Sequence, residues 1–285
     1  MASNTPVVLL GERDEIQPRP RGTAKTSPGR LTLLLITLTA FAFLYVPIVV
    51  LILFSFNSAR SGAVWQSFTL NWYERMFNNA RIIEAAGVSL LVAVLATTGA
   101  VVIGTLTALA MERYQFRSKA LWDGIFYMPV IVPEIVAGIS LLLFFALVQI
   151  ERGLFTLVVS HIAFSMPFVY LTVRARLADF DRSIEEAAQD LGANEWITFT
   201  RITLPMLMPG IISGALLAFT LSLDDFVISF FVNGKGWQTL PVYIWGQIRK
   251  GVTPEINAIS TLMLVFSVGL VVLSQLLQRR EGRKK

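Results

Sequence analysis

Six long apolar segments restrict the fold of this chain more than any other feature. Each is about as long as the ~20 helical residues that cross the hydrocarbon of a bilayer. Backbone N–H and C=O groups must be paired within the protein there, so such segments cross as helices. The segments are residues 31–56, 85–111, 124–150, 153–173, about 206–232 and 256–277. The sequence therefore predicts an all-α membrane protein with six transmembrane helices.

The composition excludes most classes of soluble protein. Of the 285 residues, 54% are hydrophobic and 15% are charged, whereas soluble domains carry about 25% charged residues. The absence of cysteine excludes disulfides and thiolate metal sites. The first apolar segment is too long for the core of a cleaved signal peptide. We divide the chain into a flexible cytoplasmic tail (1–30), a transmembrane domain (31–277) and a basic cytoplasmic tail (278–285).

The distribution of Lys and Arg predicts the orientation in the membrane. With the N-terminus inside, the inner segments hold 17 of the 24 basic residues and the outer segments hold 7. Cytoplasmic loops carry the excess of Lys and Arg. Both termini and the polar loop 174–205 are therefore predicted to be cytoplasmic. This bias also explains the net charge of +5 without a nucleic acid partner.

Small residues recur at intervals of four in the second and fifth apolar segments. Residues at that spacing share one helix face and let two backbones approach closely in a membrane. We expect these faces to be buried, either within the subunit or against a second subunit. The residues are Ala96, Ala100, Gly104 and Ala108, and then Gly210, Gly214 and Ala218.

Three acidic residues, Asp224, Asp225 and Glu134, lie within apolar segments. A carboxylate in hydrocarbon is costly unless it is paired or faces water, so each is a functional candidate. Asp224 lies about 22 Å along a helix from Pro209, in the outer half of the bilayer. Neighbouring helical positions diverge by about 100°, so we expect one Asp to line a path and the other to pair with a neighbouring helix or subunit. The alternative is that all three have structural roles.

His161 is the single histidine of the chain. Without cysteine, and without a carboxylate three or four residues further on, it is a poor metal ligand, and we expect a hydrogen bond between helices.

Aromatic residues mark the outer loops 57–84 and 233–255, which predicts an interfacial helix or elbow in the first and a short helix after Pro241 in the second. The rings of the second loop either belong to the headgroup belt or help to receive a cation or a binding protein.

The polar stretch 183–209 reads SIEEAAQDLGANEWITFTRITLPMLMP. Ser183 followed by Glu186 predicts a capping box with the helix starting at the next residue, and Gly192 predicts a left-handed helix end. Asn194 is placed to cap a second helix, which the Leu204-Pro205 pair is expected to end. A short helix with a small-residue face suits a groove on another protein, although an ordinary solvated loop is the alternative.

The stretch also contains a spaced motif: Glu-Ala-Ala, three residues, Gly, nine residues, Ile-x-Leu-Pro. This spacing resembles the coupling loop of permease subunits of ATP-binding-cassette (ABC) importers. The resemblance implies a type I importer permease with the MetI-like fold, whose loop docks on a separate ATPase. The coupling residues it implies are Glu186, Ala187, Ala188, Gly192, Ile202, Leu204 and Pro205.

Nearly the whole of residues 31–277 resembles the inner-membrane permeases of bacterial polyamine importers, the putrescine and spermidine systems. The stretches that carry the resemblance are FLYVPIVVLILFSFN, MPVIVPEIVAGISLL, DFDRSIEEAAQDLGA, LPMLMPGIISGALLAFTLSLDDFVISFFV and TLPVYIWGQIRKGVTPEINAISTLML. Residues 87–90 depart from it, since Gly-Val-Ser-Leu stands where many relatives have Asn-Ser-Leu. The choice between putrescine and spermidine therefore stays open.

The resemblance implies a multi-pass protein of the bacterial inner membrane, surrounded by lipid. Its implied partners are a second permease in a heterodimer, an ATPase dimer and a periplasmic polyamine-binding protein. Asp224, Asp225 and Glu134 would lower the cost of moving an ammonium group through the membrane. The sequence has no G-x-x-x-x-G-K-[ST] loop, so ATP hydrolysis is expected on another chain, and we expect neither enzymatic activity nor a cofactor or metal.

Two alternatives stay open. The same architecture serves other solutes, such as ferric ion, sulfate or an amino acid, although anionic cargo conflicts with Asp224 and Asp225 on the path. An ion-coupled secondary transporter would need an inverted repeat and no ATPase, and the sequence shows neither a convincing repeat nor another use for the loop. A membrane enzyme ranks last, because no catalytic constellation is present.

Overall fold

The computed structural model describes residues 28–59, 64–251 and 253–282. These residues form twelve α-helices and one π-helical turn, with a single antiparallel bridge between Asn57 and Phe68. The helices are α1 (Pro28–Phe54), α2 (Asn71–Asn78), α3 (Ala80–Arg113), α4 (Lys119–Ile131), α5 (Glu134–Leu147), α6 (Leu154–Ala178), α7 (Ser183–Asp190), α8 (Glu195–Thr198), α9 (Leu204–Asp224), α10 (Val227–Val232), α11 (Leu240–Ile248) and α12 (Pro254–Gly282); the π-turn is Phe199–Thr203.

Both predicted tails fall partly outside the described residues. The tail expected for 1–30 lies outside them as far as residue 27, and residues 28–30 already belong to α1. Of the tail expected for 278–285, residues 283–285 lie outside, and α12 continues to Gly282. Among the described residues, those from 28 to 48 form one compact unit and those from 49 onward form another. Within the first unit the rings of Phe41 and Tyr45 stack with their centroids 5.9 Å apart.

Five helical stretches are long and apolar enough to cross a membrane, as predicted for five of the six segments. They are Gly29–Phe54, Ala80–Arg113, Leu154–Ala178, Glu195–Asp224 and Pro254–Val272. The third predicted segment, 124–150, is not one continuous helix, because α4 and α5 meet at an angle of 107°. Pro133 lacks the N–H that a helix needs and disfavours helical geometry at Val132, whose ψ is 130°.

The contacts of α4 and α5 favour one broken span over a loop that returns to the same side. Asp123 in α4 lies 2.7 Å from Arg174, near the end of α6. Phe145 in α5 packs in one buried cluster with Leu157, near the start of α6. Positions 157 and 174 are about 26 Å apart along a helix. The pair therefore runs the length of α6, and counting it as one span gives six candidate crossings among the described residues.

Helix α6 lies between α3 and α9, and the two predicted small-residue faces pack against it. A Cβ on Gly104 would lie 2.9 Å from Cβ of Val169, and one on Gly214 would lie 3.1 Å from the Val169 Cα. The seven small residues predicted to form these faces, four in α3 and three in α9, are all buried. The prediction of buried faces is thus confirmed, and they are buried within the subunit.

Each predicted outer loop contains a helix. The first loop holds α2, in which the Trp72 indole donates a hydrogen bond to the Asn57 carbonyl at 2.7 Å. The second loop holds α11, which carries Pro241 in its first turn. The amide of Asn79, at the start of α3, donates to Glu255 of α12 at 3.0 Å, which ties two long helices together at this end of the bundle.

We predict that Gly104→Ala destabilises the protein, because the new methyl group would lie 3.0 Å from the Met166 carbonyl oxygen and overpack the α3–α6 contact. Overpacking of this kind costs about 1–3 kcal/mol. The matched control is Gly87→Ala in the same helix, where nothing lies within 4 Å of the added Cβ. Thermal unfolding of the purified proteins in detergent measures both. Equal unfolding temperatures for the two variants would contradict the packing argument.

Candidate functional site

The first candidate site is a break in the fifth span, at Asp225. Helix α9 ends at Asp224, and Asp225 is extended, with φ −64° and ψ 121°. The segment 206–232 was expected to be one helix, and this expectation was wrong. The Asp225 carboxylate accepts hydrogen bonds from the backbone N–H groups of Ile228 (3.1 Å) and Ser229 (2.7 Å). It thereby caps α10, whose first N–H groups have no partner within the helix.

His161 in α6 joins the two sides of this break. Its Nδ1 lies 2.7 Å from Oγ of Ser222 in α9, and its Nε2 lies 3.0 Å from Oγ of Ser229 in α10. The same Nε2 is 3.3 Å from Asp225, and only 1% of the His161 side chain and 2% of the Asp225 side chain are exposed. The predicted hydrogen bond between helices is therefore confirmed for His161.

Glu134 lies at the second helix break, between α4 and α5, which is close to Asp225. It is the first residue of α5, directly after the bend at Pro133, and its carboxyl group lies close enough to Asp225 for the two groups to interact electrostatically. We call Glu134, His161, Ser222, Asp225 and Ser229 the carboxyl cluster. It connects α5, α6, α9 and α10 at the point where two spans are interrupted.

Asp224 points away from this cluster. Its Oδ1 accepts a hydrogen bond from the Ser267 hydroxyl of α12 at 2.9 Å, and the residue is exposed. It borders a cavity of about 460 Å³ that Phe226 and Trp245 also line. The two ring centroids are 5.1 Å apart, and the Arg249 guanidinium lies 5.5 Å from the Trp245 ring. The two neighbouring acids thus have different surroundings: one faces an open cavity and the other is enclosed.

The second candidate site is the loop between α6 and α9. The predicted capping box is wrong, because no side chain caps α7 in this way and the helix already starts at Ser183. Asp181 takes that place: its carboxylate accepts the Ser183 N–H at 2.9 Å, and this bond lowers the pKa of Asp181 below its ordinary value. A charged acceptor two residues earlier competes well for the first N–H of the helix. Glu186 is exposed.

The turn after α7 is as predicted. Gly192 has φ +91°, a left-handed conformation that favours glycine, and the Ala193 N–H reaches back to the Ala188 carbonyl at 3.0 Å. Asn194 caps α8 by accepting the Ile197 N–H at 2.8 Å. Two large apolar side chains are exposed on the surface of this turn: Leu191 is 91% exposed and Trp196 is 71% exposed.

The Leu204-Pro205 pair does not end the second helix of the loop, contrary to expectation. The chain continues from α8 through the π-turn into α9. In the turn the Leu204 N–H bonds to the Phe199 carbonyl, five residues back. Pro205 has no N–H, and the wider turn directly before it absorbs the resulting gap in the helical ladder. Ile202 and Leu204 are partly buried and Pro205 is exposed, so the end of the motif leads into the bundle.

Some site residues were not found from the sequence. Asp123 accepts hydrogen bonds from the Tyr170 hydroxyl (2.5 Å) and the Arg174 guanidinium (2.7 Å), which fix α4 to α6. Asp123 and Arg174 lie at the borders of apolar segments, where charged residues are common and do not by themselves indicate a site. Glu185 was overlooked beside Glu186, although its carboxylate contacts Arg113. The sequence contains charges of opposite sign far from Asp123 and Glu185, but it does not indicate which of them is the partner. Among the described residues, no cluster of three or more His, Asp or Glu is suited to a metal ion.

Comparison with known proteins places this architecture in a family. Residues 100–284 match the family described as the binding-protein-dependent transport system inner membrane component. The chain is 45% identical to the spermidine/putrescine transport system permease protein PotC of Haemophilus influenzae, over 80% of this chain and 89% of that protein. It is 42% identical to the putrescine transport system permease protein PotI of Escherichia coli K12, over 76% and 80%.

A solved structure shares the fold. The crystal structure of a bacterial ABC transporter involved in the import of the acidic polysaccharide alginate matches with a TM-score of 0.67 and 18% identity, covering 88% of this chain and 94% of that one. The chain therefore belongs to the family of binding-protein-dependent transport system inner membrane components, and it is a transport subunit and not an enzyme.

Proposed function

We propose that this chain is the permease subunit of an ATP-driven importer of polyamines such as putrescine and spermidine. The observation that carries the proposal is the exposed Asp224 carboxylate beside the Phe226 and Trp245 rings, in a cavity next to a helix break. Carboxylates and aromatic faces are the groups that attract an ammonium ion in a membrane. The names of the two permeases with 42–45% identity support the same substrate class.

The three intramembrane acids have separate roles in this proposal. Asp224 lines the path, where an arriving ammonium group exchanges water for a carboxylate. Glu134 is partly exposed and lies with Asp225 at the two helix breaks, and Asp225 holds the broken helix in place. Half-helices that end at mid-membrane are a recurrent feature of substrate sites in transporters. The proposal thus keeps the expectation from the sequence that one Asp lines a path and the other pairs with a neighbouring helix.

The α6–α9 loop is the proposed docking element for a separate ATPase. Glu186, Ala187 and Gly192 are exposed and Ala188 is partly exposed, which leaves the small face of α7 accessible to a partner. The exposed Leu191 and Trp196 side chains add apolar surface that a groove on the ATPase would cover. The docking element continues into α9 through Ile202, Leu204 and Pro205. In this proposal, closure of the ATPase dimer therefore moves the helix bundle.

The assembly and orientation follow from the same proposal. In this proposal six crossings leave both termini on the same side of the membrane, and the excess of Lys and Arg supports the cytoplasm as that side. A second permease completes the path as a heterodimer, an ATPase dimer drives it, and a periplasmic polyamine-binding protein delivers the substrate. The protein then lies in the bacterial inner membrane.

Uptake of radiolabelled putrescine and spermidine tests the substrate class. A strain that lacks this chain is expected to lose uptake of one or both, and to regain it with the chain on a plasmid. Labelled sulfate serves as the anionic control and is expected to be unaffected. Normal polyamine uptake together with lost sulfate uptake would replace the proposed substrate with an anion.

We predict that Gly192→Asp and Glu186→Lys each reduce ATPase binding and uptake by about tenfold or more, the effect of losing ~1.4 kcal/mol at an interface. The first strains a left-handed residue at the docking surface, and the second reverses a charge there. The matched control is Gly236→Asp, which also has a left-handed glycine (φ +77°) but lies in the outer loop. Copurification of the ATPase with the tagged permease is the measurement. Full copurification with both loop variants would contradict the docking assignment.

We predict that Asp224→Asn and Asp225→Asn have different effects. Asp224→Asn is expected to lower uptake about tenfold with little change in thermal stability, because it removes a charge from the cavity wall. Asp225→Asn is expected to lower thermal stability as well, by an amount in the range of about 3–5 kcal/mol for a broken buried pair. Ser267→Ala, which removes the hydrogen bond but not the charge, is the control for Asp224. Wild-type uptake with Asp224→Asn would remove this residue from the path.

A further inference from the structure

Helix α7 lies at the edge of the bundle, and every one of its residues is at least partly exposed. Glu185 is the residue through which it is held most firmly. Only 15% of its side chain is exposed, and its Oε1 lies 2.5 Å from Nη2 of Arg113. The Thr203 hydroxyl donates a hydrogen bond to the same oxygen. A charged, partly buried carboxylate with two donors is a strong attachment for such a short helix.

The two partners of Glu185 belong to the elements that would have to move. Arg113 is the last residue of α3, which is 34 residues long, and α3 packs along α6 and α9. Thr203 is fully buried at the end of the π-turn, directly before α9. The Arg113 guanidinium also lies 3.5 Å from the Thr203 hydroxyl, so the three side chains contact one another.

Helix α3 is suited to carry a movement across the membrane. At 1.5 Å per residue it is about 50 Å long. Its far end adjoins Asn79, which is hydrogen-bonded to Glu255 of α12. A displacement of α7 that pulls on Arg113 therefore reaches the opposite end of the bundle through one continuous helix.

A second contact between α7 and α3 provides a comparison. Arg182, directly before α7, donates to the Glu112 backbone carbonyl at 2.9 Å and lies 3.7 Å from the Glu112 carboxylate. Both side chains are much more exposed than Glu185. Exposed pairs of this length contribute little. The Arg182–Glu112 pair thus resembles the Arg113–Glu185 pair in position and charge, but it is more exposed.

We propose that Glu185, Arg113 and Thr203 form the joint through which movement of α7 passes to α3 and α9. They are positioning residues for energy coupling, distinct from the exposed surface that binds the ATPase. The inference rests on the proposed function, in which α7 docks on an ATPase.

The test uses the complete transporter, purified through this chain with its partner permease and ATPase and reconstituted with the binding protein in liposomes. Glu185→Gln and Arg113→Gln are expected to lower the number of polyamine molecules imported per ATP hydrolysed by about tenfold, as expected for loss of a hydrogen bond to a charged group. The amount of bound ATPase is expected to stay at the wild-type level. The exchange Glu185→Arg with Arg113→Glu is expected to restore most of the ratio, because the Thr203 hydroxyl is able to donate or accept.

Arg182→Gln is the matched control and is expected to keep the wild-type ratio. Arg113→Lys, which keeps the charge, is expected to give an intermediate ratio and serves if the Gln variants do not fold. The inference is overturned if the Gln variants couple normally, if Arg182→Gln is equally impaired, or if uptake falls only in proportion to lost ATPase. Failure of the proposed function would appear instead in the wild-type complex, as missing ATPase or missing polyamine uptake.

Discussion

A helix that breaks inside a membrane leaves backbone N–H groups without partners, and the Asp225 carboxylate supplies the partner at the start of α10. The other side chains of the carboxyl cluster lie around that carboxylate, and two serine hydroxyls hold the His161 ring beside it. His161 lies against it from the neighbouring span, and Glu134 reaches it from the second broken span. The cost of a buried charge is therefore offset by the backbone groups that it satisfies. This explains how two interrupted spans coexist with a well-packed bundle.

The position of the cluster depends on how closely α3 and α9 approach α6. Glycine and alanine on both flanking helices let the backbones come into contact, as with Gly104 and Gly214 against Val169. Only with α9 this near does Ser222 come within 2.7 Å of His161. The small residues thus have an indirect role in function, since they set the distance at which the polar side chains meet.

Helices α3, α6 and α9 join the α6–α9 loop to the site within the membrane. Helix α9 begins at the π-turn and ends at Asp224, so it connects the α6–α9 loop directly to the cavity. Helix α3 begins beside the outer loop helices and ends at Arg113, the partner of Glu185. A shift of the loop therefore acts on both helices that flank α6. This arrangement agrees with the proposed role of the loop, in which a docked ATPase moves the helices of a transport subunit.

The sequence by itself determined the features that depend on neighbouring residues: the long apolar spans, the left-handed turn at Gly192, the Asn194 cap and the small-residue faces. These follow from hydrogen-bonding and steric preferences over a few residues, which the sequence displays directly. Only the tertiary structure decided that Asp225 is enclosed while Asp224 faces a cavity, that Glu185 and not Glu186 is the anchored acid, and that α9 continues through Pro205 by a π-turn. The first two depend on distant partners: Ser267 is 43 residues from Asp224, and Arg113 is 72 residues from Glu185. Packing of the helices selects those partners, and no local pattern in the chain specifies them.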